Sequence, residues 1–160
     1  MKKKQVKNKK QRGFTLVELL IVITVIGILA LLLFANFSGV RERTRDSRRK
    51  SDLNQLKNAL QMYYNDNQTY PTENVGRIVA CEEAACDWGV SSMSDGSTVY
   101  MKLVPADPLS SQSYTYELDG TDNFVLSALL ENPGDESAAE SQTRCGVVTP
   151  EDLVYMVCAD

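Results

Sequence analysis

Seven positions in the chain carry groups that could do chemistry: Gly13, Phe14 and Glu18 near the start, and Cys81, Cys86, Cys145 and Cys158 farther on. A glycine without a side chain lets a backbone enter a protease cleft. A carboxylate in apolar surroundings needs a cation. Four thiols can form disulfides or hold zinc, and the compartment decides which. The chain has no histidine, which removes the commonest general base, proton shuttle and metal ligand together. Nothing in it resembles a nucleophile elbow, a P-loop or a dinucleotide fingerprint. No catalytic residue, cofactor or resident metal is therefore assigned, and the chain reads as a non-enzyme.

The elements that position these residues are visible in the layout of charge and hydropathy. The formal net charge of −4 hides an asymmetry. Residues 1–13 hold seven Lys/Arg and no acid, whereas from Ala59 onward 3 basic residues face 17 acidic ones, or −14. So acidic a surface repels nucleic acid, and no direct nucleic-acid binding is expected. Four zones follow: a basic leader over 1–13, an apolar helix over 14–37, its amphipathic continuation over 38–66 and a globular, β-rich head over 67–160.

The second zone has one charge, Glu18, among Leu, Ile, Val, Ala and Phe. Its 24 residues can span a hydrocarbon core of roughly 30 Å as a helix. A soluble helix apolar on every face would need more core than 160 residues supply. In the third zone Leu53, Leu56, Leu60 and Tyr63 recur at helical spacing and predict one apolar stripe. No proline interrupts 14–70, so one helix could run to about Asn65, roughly 78 Å at 1.5 Å per residue. Asn65-Asp66-Asn67 and Tyr70-Pro71 end it. The basic cluster Arg41–Lys50 reads as a solvated helix face, or as a contact for anionic headgroups or acidic neighbouring subunits.

The leader is not a conventional secretory signal, because no small-residue cleavage site follows the apolar run. The distinctive string lies in front of it: Arg12-Gly13-Phe14-Thr15-Leu16-Val17-Glu18, continuing into an unbroken apolar segment through Ala30. Over Gly13–Ala30 the chain resembles the type IV pilins and the pseudopilins of type II secretion and competence systems. The segment Leu103-Val104-Pro105-Ala106-Asp107-Pro108, followed by Tyr114 and Tyr116, is similar to the post-helix region of major secretion pseudopilins. The resemblance implies cleavage between Gly13 and Phe14 by a prepilin peptidase, N-methylation of Phe14, and packing of the helices into a filament core. It also implies an inner-membrane assembly platform and other pilin subunits as partners. One departure is Ala35, where many members carry a proline, so no proline kink is expected there.

The residues' own chemistry agrees with those roles. Glu18 lies about one turn into the helix, near enough to the headgroups to stay hydrated while the subunit is stored in the bilayer. In a filament core it would lose that water and need a cation, and the cut after Gly13 creates one: the Phe14 amine. The amine of a neighbouring subunit would then set axial register.

In the head, Thr98–Val104, Tyr114–Leu118, Asn123–Leu130 and Leu153–Cys158 are the strand candidates, with a hairpin at Asp119-Gly120. The expected fold class is α+β: a long N-terminal helix packed against a small antiparallel sheet of three or four strands. Residues 131–142 are acidic, small and polar and read as an exposed loop. With the head exported, disulfides lead the readings of the cysteines, Cys81–Cys86 and Cys145–Cys158 being the simplest of three connectivities. Asp119, Asp122 and Asn123 could offer oxygens to calcium, but a hairpin turn explains that string more economically. Tyr63, Tyr64, Tyr70 and Trp88 read as packing residues.

The resulting expectation is a structural subunit, processed after Gly13, that polymerises through its N-terminal helix into a pilus or pseudopilus. It would sit as a single-pass protein in the cytoplasmic membrane, N-terminus inside and head outside, before entering an extracellular or periplasmic filament. The competing reading is a signal-anchored extracytoplasmic binding module that never polymerises.

Overall fold

A computed structural model describes residues 14–34, 37–82, 84–120, 122–151 and 153–159. The leader, Gly13 and Ala35 fall outside them. The chain divides into two compact units between Ser38 and Gly39.

The first unit is helix α1, Leu16–Phe34, of 19 residues. Its Leu, Ile and Val side chains are exposed on every face, from Leu16 through Leu31. Among the described residues no helix is long and apolar enough to cross a membrane; 19 residues rise about 28 Å, just under a hydrocarbon thickness of roughly 30 Å. The polar groups of α1 are satisfied locally. Thr24 donates its hydroxyl to the Leu20 and Ile21 carbonyls at 3.1 and 2.8 Å, so it adds no free polar group to the apolar surface.

The second unit is built on helix α2, Phe37–Asn67. Leu53, Leu56 and Leu60 are fully buried, each contributing about 1.5–3 kcal/mol of transfer free energy. Tyr63 packs at the edge of this core, its ring 5.2 Å from that of Tyr100. The helix ends at Asn67, followed by Gln68 with φ of 57°, a left-handed residue just before Pro71.

Two sheets lie over that stripe where one was expected. The first contains β1 (Thr72–Asn74), β2 (Arg77–Cys81), β3 (Ala84–Ala85), β4 (Met93–Ser94) and β5 (Val99–Met101). Its order is β1-β2-β4-β5, with β3 also on β2, and the β2–β4 pairing is parallel. The second is antiparallel: β6 (Thr115–Asp119), β7 (Asn123–Leu129) and β8 (Val154–Cys158), in that order. Tyr116 faces Leu126, and Leu126 faces Val157, one buried row across the sheet. Asp119 pairs with Asn123 at the β6–β7 turn, where Gly120 takes φ of 75°. Tyr70 stacks edge-on against Phe124 at 4.8 Å, and Trp88 against Tyr114 at 5.9 Å.

The stretch expected to be a loop over 131–142 is structured instead. It contains most of helix α3, Ser137–Arg144, with Ala138, Ser141 and Gln142 buried. The Gln142 amide donates to the Glu151 and Val154 carbonyls and accepts from the Glu151 N–H. The Ser141 hydroxyl accepts the Met156 N–H. Together these polar side chains occupy backbone groups of β8, an outer strand that would otherwise be an open sheet edge.

Candidate functional site

At the start of α1, Thr15 and Glu18 form a reciprocal cap. The Thr15 N–H and hydroxyl both donate to Glu18 Oε2, at 3.0 and 2.8 Å, and the Glu18 N–H donates back to Thr15 Oγ1 at 3.2 Å. This is a capping box, and it satisfies N–H groups that the first helical turn leaves without intrahelical partners. Sequence reasoning weighed Glu18 as a lone carboxylate and missed its local partner, although the Thr-x-x-Glu spacing carries the signal. The cap holds the carboxylate at the very beginning of the helix, beside Phe14. Both bonds fall on Oε2, which leaves the lone pairs of Oε1 for a cation.

A second constellation lies in the head unit, inside the basic cluster read as a solvated face or as a contact for headgroups or neighbouring subunits. Arg41, Arg43 and Arg48 are exposed, but the others are drawn into the head. Arg49 is fully buried. Its Nε and Nη2 grip Asp107 at 2.7 and 2.8 Å, while Nη1 donates to Asp46 at 2.8 Å and Glu131 at 2.7 Å. Arg45 adds a second fork on Glu131, and Lys50 pairs with Asp135. Asp46 closes the cluster from α2, accepting the Glu131 and Asn132 N–H groups at 2.9 Å each. An arginine removed from water costs several kcal/mol, which only such complete pairing can offset.

The electrostatics follow from these bonds. Burial would lower the Arg49 pKa, but its bonds to Asp107, Glu131 and Asp46 more than compensate and hold it above the usual range. The Arg45 bond, reinforced by Arg49, depresses the Glu131 carboxyl to about 2. Lys50 likewise holds Asp135 below its ordinary value. Beside the cluster, burial and the bond to Asp52 push the Tyr114 hydroxyl well up. The cluster ties α2 to the segment before β6 and to the exit of β7, so it fixes the helix within the head.

The cysteines form Cys81–Cys86 and Cys145–Cys158, with Cα atoms 5.2 and 5.7 Å apart. The first links β2 to the residue after β3, and the second ties the end of α3 to the end of β8. Among the described residues no group of three or more His, Cys, Asp or Glu is arranged to hold a metal ion. Asp119 accepts from Asn123 and Asp122 from Tyr64, so those oxygens serve the turn and its contact with α2.

An apolar, capped helix behind a basic leader, joined in sequence to an α+β head, defines a pilin-like subunit. A profile described as the prokaryotic N-terminal methylation motif matches residues 8–34, and one described as type II secretion system (T2SS), protein G, matches residues 36–142. The chain belongs to the type II secretion system protein G family, and it is a pilin-like filament subunit of the pseudopilin kind. It is 40% identical over 99 residues to the type II secretion system core protein G of Escherichia coli (strain K12), covering 62% of this chain and 67% of that protein. The protein of the same description from Vibrio cholerae is 33% identical over 138 residues, covering 84% of this chain and 92% of its own length. The Aeromonas hydrophila protein is 38% identical over 100 residues, covering 62% and 68%. No solved structure matches the chain.

Proposed function

We propose that the chain is a prepilin cut between Gly13 and Phe14, methylated at the new Phe14 amine, and assembled through its N-terminal helix into a secretion-type pseudopilus. A prepilin peptidase and an inner-membrane assembly platform are its partners, and other pseudopilins its neighbours in the fibre. Before assembly, residues 14–37 hold it in the cytoplasmic membrane as a single pass, leader inside and residues 67–160 outside. The seven basic leader residues favour that orientation over the net +4 of Arg41–Lys50. The protein G match over most of the head supports a periplasmic secretion filament rather than a surface pilus.

The observation that carries this reading is the Thr15–Glu18 cap. It presents a carboxylate beside the residue whose amine the cut would free, on a helix with no other charge. In a dry filament core that carboxylate and a neighbouring subunit's amine would neutralise each other and fix axial register. The test is Glu18→Gln, which leaves a side chain able to bond Thr15 but removes the charge. Processing is expected to proceed normally while filament yield falls by at least tenfold. Normal filament yield would reject the assembly role of Glu18.

A further inference from the structure

We propose that the filament contact between heads is a charge-matched, head-to-tail one: Arg48 of one copy seats in an acid-lined groove of the next copy's head. The inference rests on the filament reading above and specifies which surfaces meet.

The argument starts from charge. With −14 from Ala59 onward, identical heads repel when packed, unless each offers a basic patch to its neighbour. Basic residues outside the leader concentrate on α2, and the head binds several of them itself: Arg45, Arg49 and Lys50 are bonded to Glu131, Asp107, Asp46 and Asp135 of their own chain. Arg48 is different. Its side chain is 63% exposed, and its ion pair with Asp52 is loose, at 3.6 Å. Asp52 already accepts the Tyr114 hydroxyl at 2.8 Å, so Arg48 can turn to an outside carboxylate without leaving an orphaned acid.

Helix geometry places the two surfaces apart. At about 100° per residue, Arg48 and Lys50 stand about 100° to either side of the buried Arg49. Arg41, seven residues before Arg48, shares its flank, as Arg43 shares that of Lys50. The groove lies on the Lys50 side: Asp135, one of its lining residues, is the partner of the Lys50 ammonium. It is a cavity of about 530 Å³ whose lining includes Pro133, Ala138 and Leu153 together with the acids Asp135, Glu136 and Glu151. Glu140 adjoins it. Donor and acceptor surfaces thus occupy opposite flanks of one helix, the arrangement a heterologous, open-ended contact requires. A partly apolar lining suits the methylene stem of an arginine, and its carboxylates the guanidinium.

A carbodiimide, which joins an amine directly to a carboxylate, tests the contact in the full-length chain. In membranes carrying Arg48→Lys, the proposal predicts copy-to-copy products joining the substituted position to the peptide containing Glu136 and Glu140, or to Glu151. They should fall at least fivefold when Glu136, Glu140 and Glu151 are all changed to Gln. Arg48→Glu should lower filament yield at least tenfold, and adding Glu136→Arg and Glu140→Arg to it should restore most of the loss. Retention of both disulfides verifies that each variant folds. Filaments that form without such products, or Arg48→Glu chains that assemble normally, overturn the proposal. A defect in Arg48→Glu that the reversed acids fail to rescue also overturns it. Products in the absence of any filament would uphold the contact and reject the filament reading instead.

Discussion

Arg49 and Asp107, 58 residues apart in the chain, meet in a two-point contact at 2.7 and 2.8 Å. The arginine lies on α2 and the aspartate on the segment leading to β6, so this pair clamps helix to head. The same guanidinium reaches Asp46 and Glu131, which makes it the common cation of three carboxylates.

Removing that cation leaves three acids facing one another, with the Arg45 fork on Glu131 still in place. Arg49→Met is expected to cost about 3–5 kcal/mol, the usual loss when one partner of a buried ion cluster is deleted. Arg49→Lys should cost less, because it keeps the charge but loses the fork on Asp107. Urea unfolding of the detergent-solubilised chain measures both; equal stability of Arg49→Met and the parent would remove the clamp from the account.

The cluster also sets an acid response. Glu131 has a folded pKa depressed from about 4.5 to about 2 by Arg45 and Arg49. A depressed carboxyl contributes its stability above the unfolded pKa and loses it as pH falls through the folded one. The melting temperature should therefore hold down to about pH 5 and decline between there and about pH 2. In Glu131→Gln it should start lower and fall less steeply over that window.

The two disulfides close loops of different length, with sequence separations of 5 and 13. On loop-closure entropy the longer contributes about 3 kcal/mol and the shorter about 2. Replacing Cys145 and Cys158 together by Ser should thus lower stability more than replacing Cys81 and Cys86. It should also speed amide exchange in β8, whose outer edge α3 covers. Equal exchange in the two double variants would contradict the pinning role of the second bridge.

The parts legible in the sequence were those encoded by short-range periodicity. Leu53, Leu56 and Leu60 predicted the buried stripe because three- and four-residue spacing maps directly onto one helix face. The β6–β7 hairpin followed from alternation around Asp119-Gly120. Arg49 was not legible, because two of its three partners lie 58 and 82 residues away, and the third, Asp46, does not by itself separate it from the exposed Arg48. Helix α3 escaped for a related reason: its buried residues include Ser141 and Gln142, which carry no hydropathy signal and are retained by bonds to β8. Of the first sheet only β5 was legible, inside the Thr98–Val104 candidate; most of the strands have two or three residues, too short for an alternation to register. At the N-terminus the capping box was written in Thr15 and Glu18, but the chemical meaning given to Glu18 obscured its structural one.

The most direct test of the account is the mass of the native N-terminal peptide isolated from the membrane or the filament. The account predicts a chain that begins at Phe14, carrying one methyl group on its amine, with the thirteen leader residues absent. A mature protein that still begins at Met1 would contradict it, because without the cut no amine exists beside Glu18 to join one subunit to the next.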